Sequence, residues 1–325
     1  MSRVPPRSGV LQSQGEEPMP PPTGTPDIAP DEPTNSEVAV VLNTRRLHHP
    51  AGTQARLLHL LEVAGVSNAR WMPVGPETGA QGAARDAVRQ GAGLVLAGGG
   101  DGTVRAVAAG IRGSGAAMGI LPLGTANVLA RNLGIPLDLP SAVRLAVSSR
   151  RRRVDLGETG EGIFTVAVGI GFDAQMLAGA VAAARRHLGV PAYVLSGIRH
   201  LGDPSFEVEL WMDGAPPLRR RVAAVLVSNV PRLPLGITLD PEGRLDDGRL
   251  EVVAIQPRGL AGWPKVAAGL LGRRRGRSVE RFHVARVRIR ANGPHPREMD
   301  GDPIPAGSEL SAWVLPGELE VAAPG

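Results

Sequence analysis

The sequence predicts an α/β N-terminal domain with a doubly wound parallel sheet, followed by a mainly antiparallel β-sandwich domain with inserted helices. Up to about residue 145, apolar strand runs alternate with helical patterns, as in parallel sheets covered by helices. After that point, β-rich runs follow one another. Turn signals separate several of these runs: Asp213-Gly214, Asp247-Gly248 and Asn292-Gly293.

Three segments follow from these patterns. Residues 1–36 are rich in Pro, Gly, Ser and Thr and lack the apolar stretch of a signal peptide, so we expect a disordered extension. Residues 37–145 form the predicted α/β domain, and residues 146–325 form the predicted β-rich domain. A cleft between the two is the natural place for a functional site.

The elements of the α/β domain are predicted from hydrophobic spacing. Apolar runs indicate strands at residues 38–42, 70–74, 94–97 and 117–121. Apolar residues at helical spacing indicate helices at residues 51–66, 81–90, 103–111 and 125–133. Parallel sheets of this kind bind ligands beyond the carboxyl ends of their strands.

The elements of the second domain are mostly strands. They are predicted at residues 164–168, 206–211, 219–227, 249–255, 282–289 and 309–314. Helical stretches interrupt them near residues 174–186 and 192–201.

The composition narrows the range of functions. The chain has no cysteine, which excludes disulfides, thiolate metal sites and thiol catalysis. Its formal charge of +5 suits phosphate-bearing ligands or an anionic membrane surface, while an aromatic content of only 3% argues against nucleic acid. Apolar runs such as residues 174–184 are well short of the roughly 20 residues that span a bilayer. We therefore expect a cytoplasmic protein that also works peripherally at the inner membrane face.

A glycine-rich loop at the end of the third predicted strand is the strongest local signal. Glycine allows the backbone to turn and to approach a ligand closely, and the following helix directs free N–H groups toward an anion such as phosphate. A carboxylate at Asp101 suits this loop if Mg²⁺ lies between it and the phosphate, or if it orients a reacting hydroxyl. The structural alternative is a tight turn with Asp101 and Thr103 as helix caps. The loop residues are Gly98, Gly99, Gly100, Asp101, Gly102 and Thr103.

A second loop of similar design follows the fourth predicted strand. It runs through Leu123-Gly124-Thr125-Ala126-Asn127 and opens the next helix. Thr125 and Asn127 place a hydroxyl and an amide at the helix start, where simple capping is the alternative. Two such loops on one edge of a parallel sheet indicate a shared site.

These two motifs carry a family resemblance. The Gly-Gly-Gly-Asp-Gly-Thr-Val segment, followed by Leu-Pro-Leu-Gly-Thr-Ala-Asn-Val-Leu-Ala-Arg, resembles the catalytic domain shared by diacylglycerol, sphingosine and ceramide kinases and small bacterial lipid kinases. Later segments fall in the family's order, among them Leu245-Asp246-Asp247-Gly248 and Met299-Asp300-Gly301-Asp302-Pro303. The resemblance covers residues 37–325. It implies an ATP-dependent kinase that phosphorylates a lipid hydroxyl.

The resemblance also implies roles for individual residues. Asp302 corresponds to the proposed general base, and Asp101 is a second catalytic candidate. Asp247, with backbone oxygens of Arg244 and Arg249, corresponds to a Mg²⁺ site. The residues implied at the nucleotide are Asn43, Thr78, Gly98, Gly99, Gly100, Asp101, Gly102, Thr103, Val104 and Thr125.

Two departures from the family pattern leave alternatives open. Asp302 stands where relatives have a longer Glu, and a misplacement of about 1 Å can cost on the order of 10²-fold in rate. The segment 43–52 is longer and more basic than in relatives; Arg45 and Arg46 either bind phosphate or belong to a solvated loop. A kinase of a soluble substrate, similar to an NAD kinase, and a nucleotide-binding relative without catalysis are the competing interpretations.

The expected partners follow from the same interpretation. They are a lipid with a free hydroxyl and, transiently, a membrane surface, which clustered basic residues at 150–153 and 273–277 could contact. Nucleic acid is not expected, and the sequence leaves open whether the chain is a homo-oligomer.

Overall fold

A computed structural model describes residues 37–171 and 205–324, apart from residues 45, 46, 48, 76, 149, 235, 236, 258–262 and 271–277. The predicted extension, the two helices predicted near 174–186 and 192–201, and the basic run at 273–277 lie outside the described residues.

The N-terminal half is the predicted doubly wound parallel sheet. Its strands lie in the order β2-β1-β3-β4, all parallel. These strands are β1 (Glu37–Leu42), β2 (Arg70–Met72), β3 (Ala92–Gly99) and β4 (Ala117–Pro122). The chain moves from β1 outward to β2 and then returns to the other side of β1. This change of direction creates a crevice between the carboxyl ends of β1 and β3, where such sheets bind ligands.

Helices cover both faces of this sheet. They are α1 (Pro50–Val63), α2 (Gly79–Arg89), α3 (Asp101–Ile111), α4 (Val128–Asn132) and α5 (Leu139–Ser148). Leu57 and Leu61 of α1 share a buried cluster with Val143 of α5 on one face. The alanines of α2 and Val107 of α3 pack on the other face. Because Gly110 of α3 has no Cβ, its backbone can approach that of Gln81 in α2.

Two elements beside this sheet escaped the sequence analysis. Helix α5 buries only three small apolar side chains, which makes its periodic signal weak. Strand β5 (Arg151–Thr159) begins with consecutive arginines, which the sequence presented as a basic run able to contact a membrane surface and not as a strand. In the structure, Arg152 forms an ion pair with Asp246, and Arg153 forms one with Glu320 of β16. Both arginine charges are therefore compensated by acidic residues elsewhere in the same chain.

The C-terminal half contains the predicted antiparallel strands, with several of them divided. Its strands are β6 (Gly162–Phe164), β7 (Ala167–Ile170), β8 (Phe206–Met212), β9 (Leu218–Val222), β10 (Ala224–Ser228), β11 (Arg232–Leu233), β12 (Ile237–Thr238), β13 (Leu250–Ile255), β14 (Val279–Val284), β15 (Arg286–Met299) and β16 (Asp302–Ala322). Helix α6 (Trp263–Leu270), which was not predicted, lies between β13 and β14.

The divisions occur where the chain changes pairing partners. At Ala223 the chain leaves β8, the partner of β9, and joins β7 and β13 as β10. At Ala285 it leaves β13 and joins β8 and β16. Both predicted stretches combine apolar residues with arginines and carry no turn signal at Ala223 or Ala285, so the sequence predicted single strands there. The turn expected at Asn292-Gly293 is wrong, because both residues lie inside β15 at an irregularity in its pairing with β16.

Strand β16 joins the two halves into one sheet. It pairs with β15 and β5 in antiparallel orientation, and Val321 near its end pairs with Met118 of β4 in parallel orientation. The result, within the described residues, is a mixed sheet of 14 strands. In it, β16 lies next to β4 of the N-terminal parallel strands. No helix in the described ranges is long and apolar enough to cross a membrane.

Candidate active site

The site is built on three strand ends at the carboxyl edge of the parallel sheet. Asn43 follows β1, the glycine loop follows β3, and residues 123–127 follow β4. The Asn43 backbone N–H donates to the carbonyl of Gly98 over 2.9 Å, and its side-chain Nδ2 donates to Oγ1 of Thr103 over 3.1 Å. These two bonds tie the end of β1 to the glycine loop.

The glycines of the loop are needed for space and not for a left-handed turn. None of Gly98, Gly99, Gly100 and Gly102 has a positive φ. A Cβ on Gly98 would lie 2.8 Å from Cδ1 of Leu42, and a Cβ on Gly99 would collide with Oγ1 of Thr103. The sharp turn expected from the sequence is therefore replaced by close packing of an extended backbone.

The two glycine loops touch each other directly. A Cβ on Gly124 would collide with Cα of Gly100, and a Cβ on Gly100 would lie 3.3 Å from Cα of Gly124. Asn127, at a φ of 47°, accepts a bond from the Gly124 N–H and donates to the Pro122 and Gly124 carbonyls. These bonds brace the second loop internally, and its contact with the first loop is the close approach of Gly124 to Gly100.

Asp101 lies between the two loops as a cap for helix α4. Its Oδ1 accepts the N–H of Val128 over 2.7 Å and the more distant N–H of Leu129. Burial raises the pKa of the Asp101 carboxyl above its ordinary value, and the backbone N–H groups oppose that shift. Asp101 is therefore a helix cap, as in the structural alternative. The helix that it caps is α4, although Asp101 itself is the first residue of α3.

Asp302 lies beside the glycine loop. A Cβ on Gly102 would lie 3.3 Å from its Oδ2. Arg105, on the first turn of α3, donates to Oδ2 of Asp302 over 3.0 Å and to the Met299 carbonyl over 2.7 Å. The Asp302 side chain remains 47% exposed, so solvent or a substrate can reach it.

The turn that carries Asp302 is held by Asp300. Asp300 has a φ of 50° and Gly301 a φ of 83°, as expected for an Asp-Gly hairpin turn. The buried Asp300 carboxylate accepts four bonds: from the N–H groups of Thr165, Val166 and Ala167, and from the Thr165 hydroxyl. Burial raises its pKa, while these donors lower it. The sequence analysis noted Asp300 only as a turn residue.

A third carboxylate, Glu298, stands behind the turn. It is buried and accepts the N–H of Gly301 over 2.8 Å. Burial raises the pKa of Glu298 to about 7; the Gly301 N–H and the Arg105 guanidinium oppose this, and the negative charges of Asp300 and Asp302 add to it. Arg105 and Glu298 were both missed from the sequence. A charged residue directly after Gly-Asp-Gly-Thr-Val was the available signal for Arg105.

The proposed metal-binding residues share one exposed turn. The Asp247 carboxylate accepts the N–H of Arg244 over 3.2 Å and the N–H of Arg249 over 3.0 Å. Asp155 anchors the turn, because its carboxylate accepts the N–H of Gly248 and that of Gly317 in β16, both over 2.7 Å. The structure therefore brings Arg244, Asp247 and Arg249 together.

Three further nucleotide candidates occupy different positions. Val104 is buried in the core, and its N–H bonds to the Gly100 carbonyl within α3. Thr125 is exposed in the second loop. Thr78 is exposed just before α2, beyond the end of β2, two strands away from β3 in the sheet.

Comparisons with known proteins agree with this architecture. The diacylglycerol kinase catalytic domain family matches residues 38–159, and the YegS C-terminal NAD kinase beta sandwich-like domain family matches residues 166–323. A Pseudomonas aeruginosa protein named "Probable lipid kinase YegS-like" is 33% identical over 256 residues, covering 74% of this chain and 79% of the relative. A protein of the same name from Chromohalobacter salexigens is 32% identical over 249 residues, covering 74% and 79%.

A solved structure shows the same fold. A diacylglycerol kinase from Bacillus anthracis str. Sterne superposes with a TM-score of 0.68 at 17% identity, covering 89% of this chain and 97% of that one. Together, the two domain matches and the relatives named as lipid kinases show that this chain belongs to the YegS-like lipid kinase family, in which a diacylglycerol kinase catalytic domain precedes a YegS-type C-terminal domain.

Proposed function

We propose that this chain transfers the γ-phosphoryl group of ATP to the hydroxyl of a lipid, with Asp302 as the general base. The observation that carries the proposal is the position of the Asp302 carboxylate beside Gly102 at the start of α3. The loop preceding a helix start is a binding place for phosphate, and a partly exposed carboxylate next to it can receive a proton from an acceptor hydroxyl.

ATP would lie at the crevice between β1 and β3. The backbone of residues 98–103, together with Asn43, would receive its phosphates, and Val104, Thr125 and Thr78 are further proposed contacts. Gly100 and Gly102 are the positions where the backbone itself forms the surface, because neither carries a side chain that could cover it. The packing of Gly100 against Gly124 joins both loops in one surface for the nucleotide.

The proton transfer uses residues of this chain alone. Arg105 donates to Oδ2 of Asp302 and so fixes the orientation of the carboxylate that accepts the proton. Asp302 removes the proton of the acceptor hydroxyl while the hydroxyl oxygen attacks the γ-phosphorus. The bond from that phosphorus to the β,γ-bridging oxygen breaks, and ADP leaves with the electron pair.

Mg²⁺ fits the exposed turn around Asp247. Mg²⁺ prefers oxygen ligands, and we propose the Asp247 carboxylate and the backbone oxygens of Arg244 and Arg249 for this role. The N–H bonds from Arg244 and Arg249 to that carboxylate already hold the three residues in one turn. When bound, the ion would neutralise the Asp247 carboxylate and order the turn.

The acceptor class is tested by a screen of lipids. The purified chain is incubated with γ-labelled ATP, Mg²⁺ and a total lipid extract, with NAD in a parallel reaction. We expect label in a lipid product and none in NADP. Label found only in NADP would contradict the lipid proposal and would identify a soluble acceptor instead.

A relative without catalysis is the second candidate, and a specific observation favours it. Asp302 is shorter than the family's Glu by one methylene, and its Oδ2 is already engaged by the Arg105 guanidinium over 3.0 Å. Binding of ATP without turnover on any lipid fraction would support this candidate against the kinase.

A further inference from the structure

A second group of ligand-type side chains lies away from the proposed active site, at the edge of the C-terminal sheet. Glu251 of β13 and His283 of β14 are direct cross-strand partners, so their side chains share one face. Asp240 approaches them from the loop after β12. The ligand atoms of the three residues all lie within 4.8 Å of one another, and this is the one such group of three in the part of the chain that the structure describes.

The distances suit one shared cation. Nδ1 of His283 lies 3.1 Å from Oε2 of Glu251 and 3.6 Å from Oδ2 of Asp240. Ligand atoms bound to one Zn²⁺ at about 2.1 Å lie roughly 3–3.5 Å apart in a tetrahedral site. The set of one imidazole nitrogen and two carboxylates is typical of Zn²⁺ and similar divalent transition metals, whereas Mg²⁺ favours oxygen alone.

The Glu251 carboxylate is an independent indication of a ligand. Its residue is only 6% exposed, and neither carboxylate oxygen has a hydrogen-bond donor among the described residues. A buried carboxylate without such a donor is costly, since the charge loses its hydration without compensation. The carboxylate is directed at His283 and Asp240, which themselves offer ligand atoms.

Arg281 is the neighbouring cation, and its bonds lead elsewhere. Its Nη2 donates to the carbonyls of Gly269 and Thr238, and within the described ranges no ion pair joins it to Glu251 or Asp240. Its positive charge lowers the affinity for a cation, while its hydrogen bonds within the described residues go to backbone carbonyls and not to the three ligand side chains.

We propose that Asp240, Glu251 and His283 form a binding site for a divalent transition metal of the Zn²⁺ type. This site goes beyond the proposed kinase function and is separate from the Mg²⁺ turn, because it uses none of Arg244, Asp247 or Arg249. It connects the edge strand β14 to the loop that leads from Asp240 to Asp247. A bound ion would therefore stabilise that loop and the open edge of the sheet.

A shared proton is the competing occupant. An imidazolium at His283 would bridge the same oxygens by a salt bridge and would leave no room for a metal. Only the metal-site alternative predicts that the parent chain binds one metal ion per chain. Metal binding by the parent chain therefore distinguishes the two occupants.

The test uses the full chain after removal of metals with a chelator. Co²⁺ is titrated as a spectroscopic probe, its visible absorption is followed, and Zn²⁺ is then added as competitor. The titration is done in excess Mg²⁺, which keeps the proposed Asp247 turn occupied, and we expect one Co²⁺ per chain under these conditions, displaced by Zn²⁺. His283→Gln and Glu251→Gln should weaken Co²⁺ binding by more than about 100-fold, because even outer-shell changes cost 10- to 100-fold.

Two controls make the result specific. His59→Gln removes an exposed histidine from α1, and Asp247→Asn alters the proposed Mg²⁺ turn; both should keep the Co²⁺ absorption. Circular dichroism checks the fold of each variant. His283→Gln is expected to disturb the fold least, because the His283 side chain is partly exposed. Absence of Co²⁺ binding by the parent chain, or full binding by folded His283→Gln, would overturn the proposal.

Discussion

At the scale of single residues, the ion pair of Arg105 and Asp302 is central to the proposed chemistry. It joins the first turn of α3 to the start of β16 and holds one oxygen of the carboxylate. Because the other face of Asp302 remains exposed, the residue can meet a substrate while keeping its orientation. The two aspartates therefore have different surroundings. Asp302 lies at the surface of the site, whereas the Asp101 carboxylate caps helix α4.

We expect Asp302→Asn to leave ATP binding nearly unchanged and to lower lipid phosphorylation by about 10²-fold or more, the usual range for a positioned base. Asp302→Glu should keep measurable activity, since it retains the carboxylate. The measurements are steady-state turnover and ATP affinity by calorimetry. If Asp302→Asn keeps parental turnover while folded Asp101→Asn has none, the base is Asp101.

The buried Glu298 predicts a pH dependence of stability. Its pKa is about 7 in the folded chain against an ordinary value of 4.5, so the folded state binds the proton more tightly. The stability contributed by protonated Glu298 is complete below about pH 4.5 and is lost as the pH rises through about 7, by at most about 3 kcal/mol.

Glu298→Gln should remove this dependence, because the amide stays neutral and its oxygen can still accept the Gly301 N–H. Urea denaturation of both proteins at about pH 5 and about pH 8 measures the effect. The variant should gain stability relative to the parent at the higher pH. An equal difference at both pH values would show that Glu298 is ionised throughout.

At the scale of elements, the contact of the two glycine loops determines the shape of the site. The loops follow neighbouring strands, and their backbones meet at Gly100 and Gly124. Asp101 of the first loop then bonds to the start of helix α4, while Asn127 braces the second loop internally through Gly124. A substitution in one loop should therefore change the backbone position of the other loop.

Gly124→Ala tests this coupling. Its methyl group would collide with the Gly100 backbone, which cannot rotate away as a side chain can. We expect a loss of stability of about 1–3 kcal/mol and weaker ATP binding. Gly160→Ala is the matched control, since a Cβ there meets nothing within 4 Å. Equal ATP affinity for folded Gly124→Ala and Gly160→Ala would contradict the coupled-loop interpretation.

The turn around Asp247 predicts a metal requirement. A chelator should abolish turnover, and Asp247→Ala should raise the Mg²⁺ concentration needed for half-maximal activity or lower stability. The carboxylate both accepts the Arg244 and Arg249 N–H groups and is a proposed ligand, so its loss opens the turn. Turnover measured across a Mg²⁺ titration checks this. Parental activity of the variant at limiting Mg²⁺ would reject the assignment.

At the scale of the whole molecule, the net charge of +5 is relevant to how a lipid would be reached. We propose transient contact with an anionic membrane surface. The basic run at 150–153 is less available for it than the sequence suggested, since Arg152 and Arg153 are paired with Asp246 and Glu320. The formal charge of the chain as a whole remains positive.

Vesicle sedimentation tests this contact. We expect the chain to sediment with vesicles that contain anionic phospholipid, to remain in solution with zwitterionic vesicles, and to be released as salt approaches about 0.5 M, because salt screens surface charge. Binding that is equal for both vesicle types, or insensitive to salt, would contradict an electrostatic contact.

The sequence by itself determined the succession of strands and helices along the α/β domain, the glycine loops after its third and fourth strands, and the kinase family. These features are local: hydrophobic period, turn residues and short motifs depend on neighbours in the chain. The same local signals placed Asp302 in a hairpin turn. They could not show that Ala223 and Ala285 change strand partners, because no Gly, Pro or other turn residue marks either position.

The tertiary structure alone decided which distant residues meet. Arg105 and Asp302 are 197 positions apart, and Asp101 caps a helix that begins 27 positions later. The end of strand β16 lies against β4, while the hairpin at its beginning places Asp302 beside the glycine loop. Such contacts depend on how all the layers pack, since no local pattern specifies which of several compatible surfaces a strand or helix will cover.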